Sequence, residues 1–283
     1  MNYISLNDGV KIPQIGFGTY RIPADGSAYA AVLEALKAGY RHIDTAAAYF
    51  NEEEAGKAIK DSGVVREDIF LTTKLWLQDY GYEQAKAGIE RCLRHLDTYI
   101  DLMLIHQPYG DVPGAWKAME EYKQNGKIRS IGVSNMTPAI WNKFVPQFDT
   151  KPSVNQVEFH PYYQQKEIRE IMAKDHVKLE AWGPLGQGNK ELLTDPVLVK
   201  IAEKHGKDVG QVIIRSQIQE AVITLPKSTE PKRIKTNLEV FDFELSEEEM
   251  EAIRGLDKGT GIHNPDADGV EEMLRSAFVI KDE

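Results

Sequence analysis

Eight short apolar, β-branched runs recur along the chain, and their rhythm limits the fold more than any other feature of the sequence. They begin at Ile15 (IGFG), Tyr40 (YRHID), Ile69 (IFLTTK), Ile100 (IDLMLIH), Ile128 (IRSIGVSN), Val154 (VNQVEF), Val177 (VKLEAW) and Val222 (VITLPK). The first seven starts are 23 to 31 residues apart, and the last gap is 45. Segments with helical periodicity lie between them, over 27–38, 51–62, 81–96, 114–125, 164–176, 196–205 and 231–241. Several stop at a glycine (Gly39, Gly63, Gly126, Gly206), a common helix-stop position. Strands alternating with helices predict parallel βαβ units. Eight units point to a closed (β/α)8 TIM barrel rather than an open sheet. The 283 residues suit one such barrel, which typically takes about 250, so 1–283 reads as a single domain.

Two additions stand outside the repeat. Residues 3–12 place Asn-Asp-Gly between β-formers, a hairpin signal, and this hairpin could plug the bottom of the barrel. Ser246, with Glu249 three residues on, is a capping box opening an extra helix over 246–255. The stretch 258–269, rich in Gly, Asp and Pro, reads as loop.

Composition narrows the function classes. The net charge is −10, a poor match for nucleic acid or anionic membrane, whose phosphates require clustered Lys and Arg. No run approaches the ~18 apolar residues of a membrane span. The N-terminus lacks the basic-then-apolar pattern of a secretory signal. A cytoplasmic protein, acting as a monomer, is the expectation. A single cysteine, Cys92, excludes a disulfide framework and sits in a helical context that favours a small buried side chain over a reactive thiol. The histidines lack metal-ligand spacing, so no metal site is expected. GxGxxG, GxxxxGK[ST] and HExxH are all absent.

Polar residues follow nearly every apolar run: Thr19 and Tyr20, Asp44, Lys74, His106, Ser134 and Asn135, Gln156 and Glu158, Trp182, Lys227. In a closed parallel barrel these strand ends form one face, where the chemistry sits. Asp44 and Lys74 end neighbouring strands and could be a structural ion pair. Two neighbours suggest more. Tyr49 falls in the loop after Asp44, and His106 ends the strand next to Lys74. An ammonium beside a phenol favours the phenolate and lowers its pKa, while a carboxylate holds the lysine. Tyr49 then reads as an activated general acid, with His106 orienting a substrate carbonyl. A second stretch, TLPKSTEPKRIKTNL over 224–238, carries four basic residues and one acidic residue between 227 and 236. It could be a solvated helix face. Its position at a helix start after the eighth strand, with Ser228 and Thr229 as donors, favours an anion site.

In three stretches the sequence resembles the aldo-keto reductase family, in its bacterial type with 2,5-diketo-D-gluconate reductase-like members. They are GYRHIDTAAAYFNEEEAG (39–56), MEEYKQNGKIRSIGVSN (119–135) and LPKSTEPKRIKTN (225–237). The similarity runs from GFGTY to FDFELS. It implies an NADP-dependent oxidoreductase that reduces aldehydes or ketones to alcohols, with Asp44, Tyr49, Lys74 and His106 as a catalytic tetrad. It also implies a place for NADPH across the barrel mouth. Ser134, Asn135 and Gln156 would hold the carboxamide, and Trp182 would stack on the nicotinamide. Gly183, Pro184, Leu185 and Gln187 would line the pyrophosphate. Lys227, Ser228 and Arg233 would hold the 2′-phosphate, beside Thr229, with Asn237 near the adenine and Thr19 near the nicotinamide. Substrate contacts fall to Tyr20, Phe50, Trp76, His106, Gln107 and Tyr109. Three positions depart from the family pattern: Thr236 replaces a usual Glu, Gln107 replaces a frequent Trp, and Phe50 replaces a common Gly. Two other readings stay open. Lys74 could form a Schiff base in an aldolase, although pairing with Asp44 makes it a poor nucleophile, or the barrel could bind a nucleotide without catalysis.

Overall fold

The computed structural model describes residues 2–280. Two antiparallel strands, β1 (Tyr3–Ser5) and β2 (Lys11–Pro13), form the expected hairpin. Its turn closes through Leu6 N–H to Val10 O, with Gly9 at φ 86°, a left-handed value that glycine adopts without strain. Eight parallel strands follow: β3 (Phe17–Gly18), β4 (His42–Asp44), β5 (Phe70–Leu75), β6 (Ile100–Ile105), β7 (Ile128–Ser134), β8 (Val154–Glu158), β9 (Lys178–Trp182) and β10 (Ile223–Thr224). Each coincides with one of the eight apolar runs, β5 going one residue past its run to Leu75. They pair in chain order, and a parallel bridge between Ile15 and Thr224 joins the last strand to the first. Gly16 N–H donates to Thr224 O and Thr224 N–H to Gln14 O, both at 2.9 Å. The (β/α)8 barrel is therefore closed.

Twelve helices surround it among the described residues. Those filling the expected segments are α1 (Ser27–Ala38), α2 (Glu52–Asp61), α3 (Tyr82–Leu96), α4 (Val112–Gln124), α6 (Lys166–Ala173), α8 (Pro196–His205) and α10 (Pro231–Leu238). Helix α11 (Glu247–Arg254) starts at the Ser246–Glu249 capping box. Four helices were not expected: α5 (Pro138–Phe144), α7 (Lys190–Leu193), α9 (Val209–Gln219) and α12 (Val270–Ala277). Three of the helices, α7 to α9, occupy the 45-residue gap. Helix α9 hides in a β-branched sequence, VGQVIIRSQIQ, but Asp208 and Gln211 give it a capping box.

The hairpin does close one end of the barrel. Leu6 and Ile12 form one apolar cluster with Phe70, Leu102, Leu104, Val154 and Ile223, all buried. Below them Asp8 accepts hydrogen bonds from Lys123, Ser130 and Ser153. Apolar packing thus fills the N-terminal end of the barrel and leaves the opposite end for polar groups. No helix among the described residues is long and apolar enough to cross a membrane.

Candidate active site

The C-terminal strand ends open into a cavity of about 560 Å³, within the usual range for small-molecule sites. Asp44, from the end of β4, is 3% exposed. Its Oδ1 accepts from Lys74 Nζ at 2.6 Å, and its Oδ2 accepts from Gln156 Nε2 at 2.8 Å. Lys74 also donates to Thr45 O at 2.8 Å and is fully buried. Tyr49 ends a short 3₁₀ turn after β4, and its ring lies 5.0 Å from Lys74 Nζ and 5.4 Å from the His106 ring. Three parts of the chain, one around Asp44 and Tyr49, one at Lys74 and one at His106, thus meet at one point.

The electrostatics differ from expectation in one respect. Lys74 does not bring Tyr49 down: burial first, then Asp44, Tyr20 and Glu180, push its hydroxyl well above the usual phenol value. The ammonium is committed to Asp44 and Thr45 and meets the tyrosine over its ring. Burial, with Lys74 and His263 nearby, holds His106 well below the usual imidazole value, so its ring is neutral near pH 7.

Most of the expected residues line the cavity: Tyr20, Asp44, Tyr49, Trp76, His106, Gln107, Ser134, Asn135, Gln156, Trp182, Gly183, Pro184, Leu185, Gln187, Lys227, Ser228, Arg233 and Asn237. Asn135, at φ 58°, donates to the backbone His106 O and accepts from Trp182 Nε1, which ties the Trp182 side chain to the backbone at His106. Ser134 Oγ donates to Gln156 O. The basic end is formed at the start of α10, where Ser228 Oγ accepts from Glu230 N–H and Arg233 pairs with Glu230 at 3.0 Å.

Five expected residues do not line the cavity. Lys74 lies behind Asp44. Thr19 is fully buried, its hydroxyl bonded to Asp44 O. Thr229 lies just past the lining residue Ser228. Phe50 takes φ 58° as the cap after the 3₁₀ turn, and the residue is 54% exposed. Tyr109 spends its hydroxyl on Pro265 O.

The C-terminal segment contributes wall residues that the sequence reading missed. Ile262, His263, Leu274 and Phe278 line the cavity, as does Arg21 on the opposite side. Phe278 packs on Trp76 and accepts its indole N–H at 2.8 Å. Glu158 Oε2 accepts the backbone N–H groups of both Ile262 and His263. The 3.6-residue apolar spacing of Val270, Leu274 and Phe278 was the available signal.

A basic end, an aromatic Trp182 face, the Ser134 hydroxyl and the Asn135 and Gln156 amides suit an extended dinucleotide, so the residues present fit one. Among the described residues no His, Cys, Asp and Glu cluster suits a metal ion.

Comparison with known proteins agrees with this architecture. Residues 14–258 match the model of the Aldo/keto reductase family. An aldo-keto reductase of Mycolicibacterium smegmatis is 48% identical, covering 90% of this chain and 94% of that protein. The glyoxal reductase of Bacillus subtilis is 46% identical, covering 93% and 96%. A variant of Gox0644 crystallised in complex with NADPH superposes with a TM-score of 0.88 at 40% identity, covering 93% and 97%. The chain belongs to the Aldo/keto reductase family of oxidoreductases.

Proposed function

We propose that the protein reduces aldehydes or ketones to alcohols with NADPH, and that Tyr49 gives the proton to the carbonyl oxygen. The observation that carries this reading is the meeting of Asp44, Tyr49, Lys74 and His106 at one end of a cavity whose other end is basic. Lys227, Ser228 and Arg233 would hold the 2′-phosphate, Gly183 to Leu185 and Gln187 the pyrophosphate, and Ser134, Asn135 and Gln156 the carboxamide. When bound, the dihydronicotinamide supplies the hydride to the carbonyl carbon.

The chain supplies the proton. Neutral His106 has an N–H to orient the carbonyl oxygen but is little charged near pH 7. Lys74 keeps its protons on Asp44 and Thr45. Tyr49 remains: its raised pKa keeps the hydroxyl protonated until the oxygen becomes an alkoxide, a far stronger base than phenolate. The Lys74 ammonium then stands beside the phenolate until solvent returns the proton.

The cavity also suits a substrate with a second oxygen. Three buried polar atoms in its wall lack partners among the described residues: His106 Nδ1, Gln107 Oε1 and His263 Nε2. Next to the reacting carbon, a second carbonyl would accept from an imidazole N–H and a hydroxyl would also donate to Gln107 Oε1, groups that a hydrocarbon aldehyde leaves bare. The related glyoxal reductase, named for a dicarbonyl, fits this reading.

The test is NADPH consumption over a panel of oxygenated and plain aldehydes and ketones. Tyr49→Phe should lose about 10²–10⁴-fold in kcat while binding NADPH as before. Full activity of that variant, or a wild type inactive on the whole panel, overturns the proposal. A Schiff-base role for Lys74 has no support, since the amine is buried, ion-paired and outside the cavity wall.

A further inference from the structure

Beneath the Asp44–Lys74 pair lies a second polar layer that the proposed reaction does not use. Glu180 points into the barrel from β9 and is fully buried. Its Oε2 accepts from Gln156 Nε2 at 2.9 Å, and the same amide nitrogen donates to Asp44 Oδ2 at 2.8 Å. One Gln156 NH2 group therefore joins two carboxyl groups. The other oxygen of Glu180, Oε1, has no hydrogen-bond partner among the described residues and lies 3.7 Å from His42 Nε2. His42 is also fully buried, and its Nε2 lies 2.9 Å from the Thr72 hydroxyl.

The charges of this layer do not balance if both carboxyls ionise. Lys74 is the cation close to the pair, and it contacts Asp44. His42 cannot add a positive charge, because burial, with Lys74 adding to it, pushes its pKa down to about 3. Two carboxylates and one ammonium would leave a net negative charge on side chains that are almost wholly buried, an arrangement proteins avoid by keeping a proton. Asp44 has the better claim to the negative form, with an ammonium on one oxygen and an amide N–H on the other. The proton belongs on Glu180.

We propose that Glu180 is a positioning residue of the reductase: a protonated carboxyl, linked to Asp44 through Gln156, whose ionisation marks the upper end of the active pH range. The proposal rests on the reductase reading above. The titratable groups facing Glu180 are Asp44 and His42 from β4, Lys74 from β5, and Tyr49 from the loop after β4; Gln156 and Thr72 are its neutral neighbours. Burial, with Asp44 adding to it, raises the Glu180 carboxyl to about 8, while Gln156 and Lys74 offset part of the rise. A charge on Glu180 would act at two places. It would supply the Glu180 share of the upward push on the Tyr49 hydroxyl, making it a weaker donor. It would also draw on the Lys74 charge that Asp44 holds in place. Proton transfer to the alkoxide then slows while cofactor binding at the distant basic end does not.

The experiment is the pH profile of kcat for carbonyl reduction by wild type and Glu180→Gln, a neutral group of the same shape. Wild type should lose activity as pH rises through about 8. In Glu180→Gln this limb should move up by about one pH unit or more, with kcat near neutral pH within about threefold of wild type and KM for NADPH unchanged. An unmoved limb overturns the proposal and assigns the limb to Tyr49. Wild-type turnover in the same assay tests the reductase reading separately. A readout free of activity is the infrared band of a protonated carboxyl. It should be present in wild type near pH 7, fade above about 8 and be missing from Glu180→Gln. A wild type without that band at neutral pH, or a variant that keeps it, also refutes the assignment.

Discussion

Replacing Arg233 with Ala isolates one end of the cavity from the chemistry at the other. Arg233 sits in the first turn of α10, its side chain 76% exposed, with its Nε 3.0 Å from Glu230 Oε2. A hydrogen bond between charged partners contributes about 1.5–3 kcal/mol, and a planar guanidinium can offer two. Exposure weakens it. Binding a phosphate also means giving up the Glu230 pair, worth about 0–1 kcal/mol at a surface. The net loss expected for Arg233→Ala is about 1–2 kcal/mol, or roughly 5–30-fold in Kd for NADPH. NADH has no 2′-phosphate, so its affinity should change by less than about twofold. Glu230→Ala should act in the opposite direction: without the competing carboxylate, NADPH binding tightens by up to about fivefold. Fluorescence titration of both dinucleotides at low and high salt measures all of these, and the NADPH–NADH gap should shrink as salt rises. Equal losses for NADPH and NADH in Arg233→Ala would refute the phosphate contact.

Three further outcomes follow from packing and burial. The Glu180 carboxyl rises from 4.5 unfolded to about 8 folded, so between those values the folded chain holds more protons than the unfolded one and loses stability as pH rises. Denaturant titrations should show wild type falling against Glu180→Gln by up to about 1.4 kcal/mol per pH unit in that window; parallel curves would contradict it. A Cβ on Gly56, within α2, would lie 2.5 Å from Leu96 O. Gly56→Ala should therefore lower Tm, because a backbone clash costing about 1–3 kcal/mol outweighs a helix-propensity gain of at most ~1, whereas a raised Tm would show that the α2–α3 contact is looser than described. Cys92 is fully buried and its thiol is pushed well above the usual value, chiefly by burial. A thiol reagent should label it only on unfolding, at the rate that a spectroscopic probe reports for unfolding itself, and fast labelling of the native protein would disprove this.

The barrel was legible because its strands are buried on both faces and read as continuous apolar runs of regular period. Asp44, Lys74 and His106 were legible for the same reason, since each closes such a run. The helices that escaped notice had weaker or conflicting signals. Helix α9 is written in Val and Ile, which favour strands until tertiary packing on Leu198, Met250 and Ile253 decides otherwise. The Ile262–His263 part of the C-terminal wall carries no spacing signal, because it is placed by Glu158, more than a hundred residues away. The raised Tyr49 pKa was missed because the neighbours of Asp44 and Lys74 were known but not their aim. A lysine turned toward Asp44 and Thr45 leaves burial to set the tyrosine.

The closure of the barrel is its thinnest joint. β3 and β10 are two residues long, whereas β5, β6 and β7 run to six or seven. Hydrogen bonds at Gly16, Thr224 and Gly18 carry the seam. Lys227 and Ser228 come directly after it. Transient opening of a fold starts where the fewest bonds must break, so this staple is where amide protons should exchange first. A phosphate gripped by Lys227 and Ser228 would act as a clasp on that staple. It would slow exchange at Gly16 and Thr224 in proportion to ligand occupancy. Loading the barrel and locking its wall would then be a single event, with Gly18 N–H to Pro226 O as the last bond before the clasp.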